Sequence, residues 1–203
     1  SSQPDGAVTV LLGDLWDAFQ AYEKQQRQEY YLQYITVKRI ERNGINELEV
    51  IDGQQRLTTL SILLSVLSAS LNEHNISTDK LHYAIRTNFF TGHIYRKENL
   101  DELLIKTWDK LIDEDPAYNK QDIFYLFKAV HKIHAFLKSK PKDVVTEFWE
   151  YLLQYIKLIV NSVEKHVKSE DVFKNLNSNK IPLTEAELIK GLLITKLGRG
   201  EGK

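Results

Sequence analysis

Residues 51–60 read Ile-Asp-Gly-Gln-Gln-Arg-Leu-Thr-Thr-Leu, which puts a carboxylate, a glycine, two amides and a guanidinium where a β-branched run gives way to an apolar helical pattern. A strand that turns at glycine into a helix presents unsatisfied backbone N–H groups and the positive end of the helix dipole, and an anion is stabilised there. The chemistry such a cluster suits is phosphoanhydride hydrolysis. That reaction needs a phosphate cradle, a cation for the developing charge, a metal ligand and a group that orients water. On this reading the backbone at Gly53 and Gln54 holds phosphate, and Arg56 pairs with it through two N–H groups. Asp52 binds Mg²⁺ directly or through water, and Gln55 positions the nucleophile. The same string also suits a plain capped helix, with Asp52 as N-cap, Gly53 as the turn and Arg56 in solvent.

A second polar cluster occupies residues 170–190. Asn175 and Asn177 are amides expected in a turn, where side-chain to backbone bonds would occupy them, or else turned toward a ligand. Lys190 lies on the next expected helix, where its ammonium reaches an anion or forms a weak surface pair with Glu187. The first string, Asp52-Gly53-Gln54-Gln55-Arg56, resembles the hallmark of the family once called DUF262, the N-terminal domain of GmrSD-type, modification-dependent restriction enzymes. The second resembles that family's downstream element, with Phe173-x-x-Leu176-Asn177, then Pro182-Leu183-Thr184, then Glu187-Leu188-Ile189-Lys190. The resemblance covers residues 8 to 195 in outline. Three departures stand out: Lys180 replaces the usual glycine, the glycine often found near Gln33 in the preceding strand is missing, and no Gln-Arg-x-Tyr-x-Trp element precedes the first helix.

The resemblance implies a ParB/sulfiredoxin-like sheet lobe and a domain that binds and hydrolyses a nucleoside triphosphate with Mg²⁺. It also implies coupling to an HNH-type DNA nuclease domain, in cis or in trans, in phage defence. The alternative is a noncatalytic module that uses the same pocket to bind DNA or a protein partner.

At 203 residues, 42% hydrophobic and 27% charged, the chain can bury a sizeable core and is neither disordered nor fibrous in composition. The formal charge is −1, and the 27 basic residues are dispersed, so tight nonspecific DNA binding by this chain alone is not expected. There is no cysteine, which excludes disulfides and thiolate metal sites and fits a reducing cytoplasm. No apolar run has transmembrane length, no membrane partner is expected, and oligomerisation is left open. His131 and His134 stand one turn apart, but no third ligand accompanies them, so a plain helix face is expected. Methionine is absent even at position 1 and the chain opens Ser-Ser, which suggests that the string is trimmed or omits residues.

The elements that must carry these residues follow from periodicity. Leu12, Leu15, Trp16, Phe19 and Tyr22 predict a helix within 9–28. A β-rich stretch at 30–41, Asn43-Gly44 and a second run to Ile51 predict a hairpin whose exit bears Asp52. Leu57, Leu60, Leu63, Leu64, Leu67 and Leu71 predict a helix buried over most of its surface. Three helices are expected over 98–160, a returning strand at 157–163, a short helix capped by Ser169, and a last helix opened by a Thr184/Glu187 capping box. The fold expected is α+β and mostly helical, with residues 1–74 and 157–203 in the sheet lobe and 75–156 as an inserted helical lobe.

Overall fold

The computed structural model describes residues 5–22, 29–72, 81–83, 89–178 and 193–196. The chain opens with helix α1 (Asp5–Ala21), which buries Leu12, Leu15 and Phe19. Strands β1 (Tyr30–Arg42) and β2 (Ile45–Asp52) then form the expected hairpin. Its turn residues Asn43 and Gly44 both take positive φ, 53° and 75°, the twist that joins antiparallel strands without splaying them. Helix α2 (Gln54–Leu71) follows at once. After a short strand β3 (Leu81–Tyr83) and a π-helical turn over Phe90–Ile94 come α3 (Lys97–Ile105), α4 (Trp108–Glu114), α5 (Gln121–Lys138) and α6 (Lys142–Tyr155). Strand β4 (Ile156–Val163), helix α7 (Ser169–Ser178) and strand β5 (Leu193–Lys196) complete the described chain.

The strands form one mixed sheet in the order β3-β5-β2-β1-β4, with β4 parallel to β1 and the other pairs antiparallel. The α+β, mostly helical architecture expected from the pattern is the one observed. Strands β3 and β5 are additions: each is too short to show a period of two that separates it from its flanks.

Helix α2 is the hub, packed against α1, α3, α5 and α6. Its buried face includes Ile62, Leu63, Val66 and Leu67, but also Thr58, Thr59, Ser61 and Ser65. Small side chains let neighbouring helices approach closely, and most of their hydroxyls are satisfied within the helix. Thr59 donates to the Gln55 carbonyl at 2.9 Å, Ser61 to Thr58 at 2.9 Å, Ser65 to Ser61 at 2.9 Å and Ser70 to Val66 at 2.8 Å. Side chains from α1, the hairpin, α2 and α3–α6 belong to one hydrophobic cluster, in which Phe19, Phe89, Phe90 and Phe148 are fully buried.

Two expectations need correction here. Residues 98–155 hold four helices, because the chain becomes extended at Lys106 and Thr107 restarts it, its hydroxyl accepting from the Lys110 amide at 3.3 Å. Lys106 then ties the two halves together, reaching Glu102 at 2.7 Å and Glu114 at 2.6 Å. Ser169 is the first residue inside α7, not its N-cap, because the first helical acceptor is the Lys168 carbonyl, 3.2 Å from the Val172 amide. The Ser169 hydroxyl donates to Glu49 on β2 at 2.7 Å, a tertiary bond that the local sequence cannot reveal. The capping box at Thr184 and Glu187 lies outside the described residues. Among the described residues, no helix is long and apolar enough to cross a membrane.

His93 and His131 are half-buried on the helical side, and burial holds both imidazoles below their ordinary value of 6.5. The Lys106 ammonium adds to this at His93, whereas a backbone hydrogen bond at Leu103 opposes it at His131. The folded protein therefore resists protonation at a pH where the unfolded chain accepts it. This contribution to stability is complete above about pH 6.5 and is lost as pH falls through that value toward the depressed folded values. Urea midpoints should fall between about pH 7.5 and about pH 5.5, and His93→Gln/His131→Gln should flatten the profile over that window. The lowered carboxyls of Glu29 and Glu102 act only below their ordinary value of 4.5 and leave the window clean.

Candidate functional site

The last residues of β2 break the alternation of a regular strand. Thr36 pairs with Asp52 and Val37 with Val50, so Ile51 is an extra residue opposite one step of β1. This is a β-bulge, and it explains why Val50 and Ile51 are both buried although they are adjacent. The bulge sets the direction in which Asp52 leaves the sheet. Thr36, directly across the ladder, shares its face, and the Thr36 hydroxyl is fully buried with no hydrogen-bond partner among the described residues.

Gly53 makes the turn. Its φ is +94°, a region that side chains with a Cβ rarely adopt, and a Cβ built there would lie 2.5 Å from Cγ2 of Ile35 and 3.3 Å from the Ile35 Cα. The strand-to-helix turn is thus pressed onto β1. Gly53 is also the N-cap of α2: its carbonyl accepts from the Leu57 amide at 3.1 Å, and a glycine brings no capping side chain of its own. The expectation of Asp52 as N-cap is replaced by this glycine cap. No acidic residue stands in the first turn, so the N-terminal end of the α2 dipole is not offset by a carboxylate within that turn, the arrangement that favours an anion.

The two amides and the arginine then diverge. Gln54 turns back and donates through Nε2 to the Val50 carbonyl at 2.8 Å, bracing the bulge. Gln55 follows in the first turn of α2, half-buried, with its carbonyl taken by Thr59. Arg56 reaches β1. Its Nη1 donates to the carbonyls of Gln33 at 3.1 Å and Tyr34 at 3.0 Å, and Nη2 donates to Oε1 of Gln33 at 2.7 Å. These carbonyls belong to a second irregularity, where β1 advances three residues from Leu32 to Ile35 while β4 advances two from Leu158 to Val160. Arg56 is therefore a brace across the bulge in β1, with Nε–H and one Nη2 hydrogen left for anything else. Gln33, its partner, stands near a position where the family often has a glycine, and nothing in its local sequence points to a contact with Arg56.

The described start of the second segment, helix α7, comes to the same corner. Helix α7 is held on the sheet by Ser169 against Glu49 and by Lys38, whose Nζ donates to the Val167 carbonyl at 2.7 Å. Val50, Ile51 and Gln54 from the first segment, and Ser169, Glu170, Phe173 and Lys174 from the second, line a pocket of about 300 Å³. Phe173 and Lys174 were not singled out by chemistry in the sequence. Their signal was the spacing of 170, 173 and 174, which puts all three on one helical face. Asn175 and Asn177 lie in α7, not in a turn, since the helix continues to Ser178. The Asn177 side chain, Lys190 and Lys180 lie outside the described residues.

His131 and His134 sit on α5, where the His131 ring packs on Phe127 with centroids 4.3 Å apart. Among the described residues no three His, Cys, Asp or Glu side chains are grouped to hold a metal ion. Asp52 belongs to no such group, so a Mg²⁺ held there would draw most of its ligands from phosphate oxygens and water, as nucleotide-borne magnesium does.

Two outcomes follow from this geometry. Gly53→Ala should lower the unfolding free energy by about 2 kcal/mol or more, from left-handed strain plus overpacking on Ile35, read as a shift in urea midpoint. Arg56→Ala should cost about 1–2 kcal/mol through three lost hydrogen bonds, and Arg56→Lys should not restore it because an ammonium cannot reproduce the fork.

Comparison with curated proteins and with solved structures gave no match. The family described as GmrSD restriction endonuclease, N-terminal domain, matches residues 7–194, and the chain belongs to that family.

Proposed function

We propose that this domain of a restriction system binds a nucleoside triphosphate at the turn between β2 and α2 and hydrolyses it, so as to drive or license DNA cleavage by a nuclease domain in cis or in trans. The observation that supports the reading is the glycine-capped N-terminus of α2, with no acidic residue in its first turn, directly after Asp52. Backbone N–H groups at Gly53 and Gln54 receive phosphate, and Asp52 holds Mg²⁺ directly or through water. Gln55 orients the attacking water. Arg56 fixes the turn against β1 and offers the phosphate only the hydrogens its brace leaves over. Asn177 and Lys190 are the second segment's contributions to phosphate binding in this reading.

One observation favours a noncatalytic alternative, in which the pocket recognises DNA or a protein partner. The guanidinium best placed in sequence to stabilise a transition state spends three donors on β1. That alternative predicts strongly salt-dependent DNA affinity with no nucleotide turnover.

Thermal stabilisation by ATP, GTP, UTP and CTP with Mg²⁺, alongside phosphate release, separates the two. A nucleotide at ~100 times its Kd should add about 2.7 kcal/mol of stability. Asp52→Asn should retain most of that stabilisation while phosphate release falls by about a hundredfold. Lys190→Ala should weaken binding. Absence of both stabilisation and release with all four nucleotides would overturn the reading.

A further inference from the structure

The pocket beside the turn has features that phosphate does not require. Its walls are Val50, Ile51 and the half-buried ring of Phe173, an apolar surface suited to a flat aromatic ring. The polar groups at its edge fall into two kinds. The Ser169 hydroxyl is bound to Glu49 and the Gln54 amide nitrogen to the Val50 carbonyl, so both are already occupied. Glu170 and Lys174 have no hydrogen bond or ion pair with any described residue, although they stand four apart on the face of α7 that carries Phe173. A carboxylate there repels phosphate but accepts from ribose hydroxyls or base N–H groups, and an ammonium donates to base carbonyl or ring nitrogen. Gln54 is both a wall of this pocket and the first residue of α2, so a ligand in the pocket adjoins the anion site at the turn.

We propose that this pocket is the nucleoside subsite of the domain, with the base stacked on Phe173 and its polar edge or the ribose read by Glu170 and Lys174. This rests on the reading that the turn binds the triphosphate. The pocket supplies the part of the affinity that depends on a base, and the turn the part that depends on phosphate.

The test measures binding of three Mg²⁺-containing probes to the whole chain: inorganic tripolyphosphate, the four nucleoside triphosphates, and free nucleosides competing with a fluorescent nucleotide. At least one nucleotide should bind about tenfold tighter than tripolyphosphate, the increment expected for one base stacked on an aromatic ring. Phe173→Leu keeps apolar bulk while removing the ring, and should erase that increment and leave tripolyphosphate affinity unchanged. If nucleotides and tripolyphosphate bind equally to the native chain, or if Phe173→Leu weakens both alike, the subsite is overturned. Competition by nucleosides in the native chain supports it without any variant. The two readings fail separately: tripolyphosphate binding with no base increment removes the pocket alone, and nucleoside binding without triphosphate binding removes the phosphate site alone.

Discussion

The contact on which the rest depends is the seating of Gly53 against Ile35. There the polypeptide passes from the sheet into its most buried helix in one residue, with backbone so close to β1 that a single added methyl would collide. Because α2 packs against α1, α3, α5 and α6, its position is fixed by the helical core, and because β1 and β2 are one hairpin, the sheet has no slack to take up a displacement. Buried, close-packed interiors transmit such strain and do not absorb it. Gln54 and Arg56 reinforce the contact from either side, one tied to β2 and the other to β1.

The two bulges decide which groups that contact positions. Each strand of the hairpin carries one extra residue near the turn, Ile51 on β2 and one in the Gln33–Tyr34 segment of β1. A regular ladder would have sent alternate residues to opposite faces. The bulge at Ile51 buries two neighbours in succession and turns Asp52 out beside the N-terminus of α2, while the bulge on β1 presents the carbonyls that Arg56 grips. The residues that read as a catalytic list in sequence thus divide into two sets. Gln54 and Arg56 hold the backbone, and Asp52 and the peptide groups at Gly53 are positioned by it.

Helix α7 brings the start of the second motif to the first over more than a hundred residues of intervening chain. Two long-range bonds anchor it, Ser169 to Glu49 and Lys38 to the Val167 carbonyl. Both link one side chain of the sheet to the segment entering α7, so the helix is set at its N-terminal end, where Glu170, Phe173 and Lys174 face the turn.

The amino-acid sequence by itself determined the elements with strong local codes. Asn43-Gly44 dictates a hairpin because both residues tolerate positive φ, the leucine spacing after Arg56 dictates a buried helix, and the polar string between them marks the strand-to-helix turn at Gly53. It also carried enough of a signature to identify the family. The tertiary structure decided what depends on partners distant in the chain: that Arg56 spends its fork on Gln33 and Tyr34, that Ser169 serves Glu49 and does not cap its own helix, and that Phe173 faces Val50 across a pocket. Local propensity reports only what a residue does with its near neighbours. A guanidinium or a hydroxyl takes whichever acceptor the packed core brings within about 3 Å, and that acceptor is chosen by the fold.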